Sequence, residues 1–327
     1  MKNIAVVTGG FTGEDVISRK SSQMVMNNID RNIYKPFLID ISREGWFYID
    51  ENKSDDSNKI EIDKNDFSFQ LGSKRIKFDA VFMALHGDPG ENGVLQSYFE
   101  LVDIPCTTGS PFSMAMTFNK YSTIQMLKAS NIAVSDSILL RKGQVIDKDS
   151  ILNKVGLPCF VKPNFGGSSL GISKVSKAFE FRTAVENAFK ESEEVIVESF
   201  MSGREFTCGV IQVGNEVKPL AVTEIVSKND FFDFESKYNA DLVDEITPAQ
   251  IDEKQYKECQ KIAVETFKIL DCRGMARIDF IQTGDNFKVI EINTVPGMTE
   301  VSIIPDMAKA SGISKTEMIN ILLNNIL

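Results

Sequence analysis

Three oxygen-bearing side chains lie on two strand-like runs near the carboxyl end of the chain. Asp279 belongs to the first run, and Glu291 and Asn293 belong to the second. Residues 283–286, Thr-Gly-Asp-Asn, supply turn-forming residue types between the runs. Because side chains alternate faces along a strand, a hairpin can bring Asp279 opposite Glu291 and Asn293. Carboxylate and amide oxygens are the ligands that Mg²⁺ takes, so these residues beside Arg277 predict a cation site rather than a merely solvated polar face.

A glycine-rich segment at residues 163–171 has the composition of a phosphate-binding loop. Its glycines allow backbone N–H groups to approach a ligand closely, and Ser168 and Ser169 add further donors. The segment is not a Walker A loop, because no Gly-Lys-Ser/Thr follows and no helix opens there. Lys162 precedes the segment and Lys120 lies on an earlier predicted helix, although either lysine alone is more often a solvated charge.

Three further carboxylates stand at positions that suit a ligand. Glu14 follows Gly9-Gly10-Phe11-Thr12-Gly13, which lacks the GxGxxG spacing, and a carboxylate there suits a cationic amine rather than phosphate. Glu198 ends an apolar strand, and Glu205 follows a Ser-Gly-Arg turn. Near a nucleotide, the last two would bind ribose hydroxyls or an amino group; without that context they would be surface charges.

Composition narrows the class of protein. The 327 residues predict two or three domains, and a net charge of -10 disfavours a general binder of nucleic acid or of an anionic membrane. No apolar run approaches the roughly 20 residues of a membrane helix, and no signal-peptide pattern follows Met1. Five scattered cysteines without a CxxC pair predict a reducing cytoplasm and argue against zinc. His86 is the only histidine, so any Ser-His or Cys-His nucleophile would depend on it.

The order of elements predicts an α/β protein. Apolar strands at 4–7, 36–41 and 80–85, with a helix at 18–28, indicate an open parallel sheet with glycine-rich loops at its carboxyl edge. Residues 43–78 read as short appended strands. A new unit begins near residue 109, with a helix at 119–130, and another begins near residue 200, with a final helix or two after Pro305. A long polar stretch at 227–250 is typical of a lid.

Together these motifs resemble the ATP-grasp enzymes and, within them, the D-alanine–D-alanine ligase family, over nearly the whole chain. The matching blocks, in order, are Gly9-Gly10 with Glu14 and Ser18; His86-Gly87, Gly90-Glu91, Gly93 and Gln96; Asn119-Lys120; Val161-Lys162-Pro163 with Gly167-Ser168-Ser169 and Gly171; Glu198, Gly203 and Glu205; Phe234-Glu235 and Lys237-Tyr238; Arg277 and Asp279; and Glu291, Asn293-Thr294, Pro296-Gly297-Met298-Thr299 and Ser302. Any one block would be weak evidence, and their shared order carries the resemblance. Phe200-Met201 departs from the Trp-Leu that is frequent in the family, but keeps an apolar wall.

The resemblance implies an ATP-grasp fold and a ligase reaction. Residues 1–108 would form an N-terminal open parallel α/β sheet domain, followed by two α+β subdomains, 109–200 and 201–327, that sandwich ATP. The implied reaction joins two D-alanines through a D-alanyl phosphate, for peptidoglycan synthesis in the cytoplasm. Family members are commonly homodimers.

Site residues follow from the same resemblance. ATP-binding residues would be Lys120, Lys162, Ser169, Glu198, Phe200, Met201, Glu205 and Lys237. Two Mg²⁺ ions, for which Mn²⁺ can substitute, would be held by Asp279, Glu291 and Asn293. Substrate would contact Glu14, His86, Arg277, Gly297, Ser302 and Ile303. Catalysis would depend on Glu14, Ser168, Tyr238, Arg277 and Gly297, with Ser168 and Tyr238 linking Glu14 to the closed lid.

Three alternatives remain open at this point. A related ligase would use D-lactate or D-serine as the second substrate, although Tyr238 beside Lys237 is typical of dipeptide-forming members. Another ATP-grasp ligase would act on different amino acids or peptides. A nucleotide-binding regulatory protein without catalysis would have no need of Arg277 and the complete ligand set.

Overall fold

The first part of the chain builds an open sheet around three parallel strands. The structure, a computed structural model, describes residues 1–50, 58–167, 170–227 and 243–327. Strand β1 (Lys2–Gly9) pairs in parallel with β2 (Tyr34–Ile41) on one side and β7 (Ala80–Met83) on the other. Helix α1 (Asp15–Asn28) connects β1 to β2 and packs against the sheet. The predicted parallel sheet is therefore confirmed at its centre.

Residues 43–50 and 58–78 extend this sheet at one edge. β3 (Trp46–Ile49) pairs antiparallel with β2, and β4 (Lys59–Glu61) pairs antiparallel with β3. β5 (Phe69–Leu71) and β6 (Lys74–Ile76) form a separate hairpin. The Tyr48 ring stacks on Phe69 with 4.5 Å between centroids. The appended strands therefore continue the N-terminal core, and the whole sheet is mixed rather than purely parallel.

Three short helices lead from this sheet to the rest of the chain. They are α2 (Val94–Leu101), α3 (Pro111–Phe118) and α4 (Lys120–Ala129). The side chains of Ser110 and Asn119 accept hydrogen bonds at the amino ends of α3 and α4, which fixes where these helices begin. The patterns considered above indicated α4 but neither α2 nor α3. Within the described ranges, no helix has the length and apolar character needed to cross a membrane.

An antiparallel sheet follows, in the order β10-β9-β11-β8. Its strands and helices along the chain are β8 (Ser137–Arg141), α5 (Lys148–Val155), β9 (Cys159–Pro163), β10 (Ser173–Val175), α6 (Phe181–Glu191) and β11 (Glu194–Ser199). Val161, Val195 and Val197 point into a core with both helices. Since side chains alternate along a strand, Lys162 and Glu198 lie on the opposite face.

The same alternation organises the third sheet, in the order β14-β13-β12-β15-β16. Its elements are β12 (Arg204–Val213), β13 (Glu216–Ser227), β14 (Val243–Ile246), α7 (Glu253–Ile269), β15 (Met275–Thr283) and β16 (Asn286–Asn293). Cys208, Ile278 and Phe280 pack with α7 in one core. Thr207 and Asp279 therefore face away from α7. β14 shows that the polar stretch predicted at 227–250 is partly a strand.

Two helices complete the chain, α8 (Ile303–Ala310) and α9 (Lys315–Asn324). α8 begins two residues before Pro305, not after it as expected, because proline is tolerated in the first helical turn. Met318 and Leu322 of α9 share a core with Ile4 and Met24. The Tyr34 hydroxyl donates to Asn324 Oδ1 at 2.9 Å. The two ends of the chain are therefore packed together.

A pair of glycines with similar backbone conformations provides a test of this packing. Gly274 and Gly284 have φ of 68° and 61°, but a Cβ on Gly274 would overlap the Thr107 carbonyl, whereas one on Gly284 would meet nothing within 4 Å. We expect Gly284→Ala to cost about 1 kcal/mol in stability. Gly274→Ala should cost about 2 kcal/mol more, because backbone must move. Equal melting temperatures for the two variants in calorimetry would contradict the close approach at Gly274.

Candidate active site

One cavity of about 560 Å³ lies where the three sheets meet. Many of the residues predicted from the sequence line it: Glu14, His86, Lys120, Lys162, Glu205, Arg277, Asp279, Glu291, Asn293, Gly297, Ser302 and Ile303. Glu198, Phe200 and Met201 are not among its lining residues. Ser168, Ser169, Lys237 and Tyr238 lie outside the described residues. The cavity thus joins side chains that are up to 289 positions apart in the chain, from Glu14 to Ile303.

The C-terminal hairpin places its polar side chains as its alternation predicts. Asp279 is directly opposite Glu291, and Arg277 is directly opposite Asn293. The Asp279 carboxylate accepts hydrogen bonds from Arg277 Nε and Nη2, both at 2.8 Å, and from Asn293 Nδ2 at 3.0 Å. Thr207 Oγ1, from the neighbouring strand β12, donates to the same carboxylate at 2.6 Å. Asp279 is therefore held by three side chains at once.

The electrostatics of this face are dominated by Arg277. Burial alone would lower the pKa of its guanidinium, but the nearby carboxylates of Asp279, Glu291 and Glu245 raise the pKa above its ordinary value. Arg277 therefore remains a fixed positive charge. Glu245 of β14 lines the same cavity, and burial raises its pKa, an effect that Arg277 opposes and Asp306 adds to.

The side chains of the hairpin can hold a cation only together with further ligands. Within the described part of the chain, no group of three or more His, Cys, Asp or Glu side chains has the arrangement of a metal site. Asp279, Glu291 and Asn293 provide two carboxylates and one amide. Mg²⁺ is commonly held by one or two carboxylates together with substrate phosphates, so this set fits that ion with a phosphate compound.

Lys162, which lines the cavity, belongs to a buried ion pair. Lys162 Nζ lies 3.0 Å from Glu198 Oε2, and both side chains are less than a tenth exposed. Glu198 Oε1 is buried without a hydrogen-bond partner among the described residues. A buried acceptor without a partner is costly, and a ligand that donates a hydrogen bond would satisfy it. Phe200 lies beside this pair, with its ring 5.9 Å from that of Phe160.

Asn164 fixes the glycine-rich loop against α4. It is fully buried, and its Oδ1 accepts from the Tyr121 backbone N–H at 2.8 Å. Its Nδ2 donates to Asn119 Oδ1 at 3.1 Å. Lys120 Nζ then donates to the Gly166 carbonyl at 2.5 Å. Both predicted lysines therefore border the glycine-rich loop.

Glu14 reaches the loop from the N-terminal sheet. A Cβ on either Gly87 or Gly167 would collide with its carboxylate, so the side chain lies between two glycine backbones. Ser18 Oγ donates to the Glu14 carbonyl at 3.2 Å and accepts from the His86 N–H at 2.9 Å. Glu14 and His86 are thereby tied to one helix.

The loop before α8 forms the remaining wall. Ser302 is the N-cap residue of α8, and its Oγ accepts from the Thr299 N–H at 2.9 Å. A Cβ on Gly297 would lie 3.0 Å from that oxygen, so only a glycine passes without adjustment. Free N–H groups at a helix amino end suit a carboxylate ligand.

Sequence reasoning missed four residues that organise these walls: Ser21, Asn164, Thr207 and Glu245. Strand alternation alone predicts Thr207, because it shares a strand face with Glu205. Ser21 and Asn164 act through contacts with residues 65 and 43 positions away, which no local pattern reveals.

Comparison with known proteins agrees with this geometry. The family profile described as "D-ala D-ala ligase N-terminus" matches residues 3–110, and that described as "D-ala D-ala ligase C-terminus" matches residues 126–324. The chain is 42% identical over 328 residues to the D-alanine--D-alanine ligase of Azobacteroides pseudotrichonymphae, covering 100% of each protein.

Solved structures agree on the fold. The VanG D-Ala:D-Ser ligase from Enterococcus faecalis superposes with a TM-score of 0.88 at 32% identity, covering 100% of this chain and 99% of that one. The D-alanine--D-alanine ligase from Bacillus anthracis, complexed with ATP, gives a TM-score of 0.79 at 25% identity, with 99% and 97% covered. The predicted ATP-grasp fold is thus confirmed. By sequence along its full length and by structure, the chain belongs to the D-alanine–D-alanine ligase family.

Proposed function

We propose that this protein joins two D-alanines to D-alanyl-D-alanine at the expense of ATP, supplying a peptidoglycan precursor. The observation that carries the proposal is the hairpin register, which sets Asp279 opposite Glu291 beside Arg277. These groups share a cavity with Glu14, so a phosphate-binding wall and an amine-binding carboxylate lie within reach of one small substrate.

The chemistry proceeds in two steps. The carboxylate of the first D-alanine takes the γ-phosphoryl group of ATP, giving a D-alanyl phosphate and ADP. The ammonium group of the second D-alanine gives a proton to solvent, and the resulting amine attacks the carbonyl carbon. The nitrogen gives up a second proton to solvent as the peptide bond forms. The C–O bond to phosphate then breaks, and phosphate leaves with that electron pair. Activation is needed because a free carboxylate is a poor electrophile.

The nucleotide end of the cavity is assigned to the walls formed by the central sheet. Lys120 and Lys162, which border the glycine-rich loop and line the cavity, hold the phosphates. Glu198 lies outside the cavity lining but pairs with Lys162, which belongs to it. Its Oε1, buried without a partner among the described residues, would accept a hydrogen bond from adenine, and Phe200 and Met201 would supply the apolar wall. Glu205 binds the ribose. The proposal is supported by the ATP complex of the Bacillus anthracis relative.

The hairpin is assigned to divalent metal. Asp279, Glu291 and Asn293 would hold two Mg²⁺ ions, or Mn²⁺ in their place. When bound, the metal neutralises charge on the transferring phosphoryl group. Arg277 orients Asp279 for this purpose and remains positively charged in the cavity.

The substrates occupy the other walls. Glu14 pairs with the ammonium group of the first D-alanine, with His86 beside it. Arg277 and the Gly297 N–H stabilise the oxyanion of the tetrahedral intermediate. The Ser302 hydroxyl and the Ile303 backbone receive the carboxylate of the second D-alanine, supported by their place at the amino end of α8.

Some parts of the proposal concern residues outside the described ranges. Ser168 and Tyr238 would hydrogen-bond with Glu14 when the lid closes. Ser169 and Lys237 would reach the ATP phosphates and keep water from the acyl phosphate.

The organisation of the protein is proposed in the same way. We assign domains to residues 1–108, 109–200 and 201–327, which separates the three main sheets. We also propose a homodimer. A cytoplasmic location is supported by the five free cysteines, Cys106, Cys159, Cys208, Cys259 and Cys272.

Phosphate release tests the reaction directly. With ATP and Mg²⁺, we expect release to require D-alanine and to be absent with L-alanine, and mass spectrometry to detect D-alanyl-D-alanine. Added D-serine or D-lactate tests the alternative acceptors. D-serine appears in the name of the VanG relative, a D-Ala:D-Ser ligase. If D-alanyl-D-serine or D-alanyl-D-lactate formed in preference to D-alanyl-D-alanine, the function would be that of the alternative ligase. Bound ATP without release would overturn the proposed ligase.

Arg277→Ala tests the oxyanion role. Loss of a preorganised donor lowers turnover by about 10²- to 10³-fold. Affinity for ATP measured without Mg²⁺ should change little, because the adenine wall lies elsewhere and Asp279, which Arg277 orients, acts through the metal. Arg273→Ala is the matched control, since its side chain is 60% exposed and 3.9 Å from Asp271. Equal turnover of the two variants in a coupled ADP assay would remove Arg277 from the chemistry.

Glu14→Gln tests the ammonium contact. Removing one charge from this hydrogen bond should raise KM for the first D-alanine by about tenfold to a hundredfold. Asp15→Asn serves as the control. The Asp15 side chain is 38% exposed, and its ion pair with Arg19 is long, at 3.8 Å. Unchanged D-alanine saturation in the Glu14 variant would show that the ammonium binds elsewhere.

A further inference from the structure

Ser21 is a fully buried hydroxyl at which three segments of the chain meet. It lies on α1, one turn beyond Ser18. Its Oγ is 2.8 Å from His86 Nε2 and accepts from the Met298 backbone N–H at 3.2 Å. The first contact reaches the loop after β7, and the second reaches the loop that carries Gly297. No step of the proposed reaction uses Ser21.

The contacts determine where the protons are. His86 Nδ1 lies 2.8 Å from the Val295 carbonyl, which can only accept, so Nδ1 must carry a proton. Glu91 Oε1 lies 3.8 Å from the same nitrogen, and its negative charge favours a proton there. In a neutral imidazole with Nδ1 protonated, Nε2 is bare and accepts the Ser21 hydroxyl proton. The Val295 carbonyl thus selects the Nδ1-protonated tautomer, and Ser21 joins the other ring nitrogen to α1 and to the Met298 N–H.

We infer that Ser21 is a positioning residue that holds Nε2 of this tautomer of His86 and fixes the 295–298 loop against α1. Its importance for the reaction rests on the proposed function. Glu14 stands at the start of α1, and Gly297 lies between Val295 and Met298. Ser21 and His86 therefore hold two groups at a fixed distance. One is the Glu14 carboxylate, which binds the ammonium of the first D-alanine, and the other is the Gly297 N–H, which donates to the oxyanion.

Removal of the hydroxyl has two local consequences. The Met298 N–H and His86 Nε2 lose a partner in a region where both residues are less than a tenth exposed. A buried donor without a partner is unfavourable, so the loop shifts or the imidazole turns. Small displacements of reacting groups lower rates steeply. A serine that merely fills space in the core would have neither effect on the imidazole.

The single histidine makes the inference directly measurable. In protein labelled with ¹⁵N-histidine, the imidazole signals arise from His86 alone. At mildly alkaline pH we expect a protonated Nδ1 and an unprotonated Nε2 in the wild type. Ser21→Ala should shift the Nε2 signal, because that nitrogen loses the hydroxyl that donates to it. Ser22→Ala is the matched control, because Ser22 is equally buried but donates only to the Arg19 carbonyl within α1.

Kinetics complete the test. Ser21→Ala should lower kcat/KM for D-alanine by about tenfold to a hundredfold, with KM for ATP unchanged, while Ser22→Ala matches the wild type. Imidazole signals in Ser21→Ala identical to those of the wild type, or kinetics identical to those of Ser22→Ala, would overturn the inference. The spectra need no turnover. A wild type that shows the expected tautomer but no D-alanine-dependent phosphate release would therefore overturn the proposed function and leave the tautomer assignment standing.

Discussion

The rest of the site depends on the way Asp279 is held. Its carboxylate accepts two hydrogen bonds from Arg277, one from Asn293 and one from Thr207. Charge-assisted bonds of this kind are short and directional, so they orient the carboxylate as well as stabilise it. Two strand pairings meet at this residue, β15 with β12 and β15 with β16. A one-residue slip in either pairing would turn the Asp279 side chain towards the apolar core. The strand registers therefore determine where this carboxylate lies.

This dependence explains why so much of the site was predictable. Strand alternation needs only local sequence, and it places Asp279 opposite Glu291 once a turn is recognised between them. The same rule puts Lys162 and Glu198 on the face of the central sheet that lies opposite its helices. Helices with strong caps, such as α4 after Asn119, also begin close to where the sequence predicts.

What the sequence left open depends on contacts between distant segments. Asn164 joins the glycine-rich loop to α4, and Ser21 joins α1 to two loops, the farther at Met298. Such contacts form only when separate elements have packed, and single-sequence patterns report only neighbours. α8 was placed too late for a different reason: Pro305 was read as a boundary, whereas the first turn of a helix has no need of its N–H.

Binding of Mn²⁺ followed by electron paramagnetic resonance tests the central claim, that the hairpin is half of a metal site and phosphate is the other half. Two carboxylates and an amide should bind Mn²⁺ weakly in protein alone and tightly once ATP is added. Asp279→Asn should abolish the tight binding, because it removes the carboxylate on which the hairpin's hydrogen bonds converge. Tight Mn²⁺ binding without nucleotide, or unchanged binding in Asp279→Asn, would contradict the account.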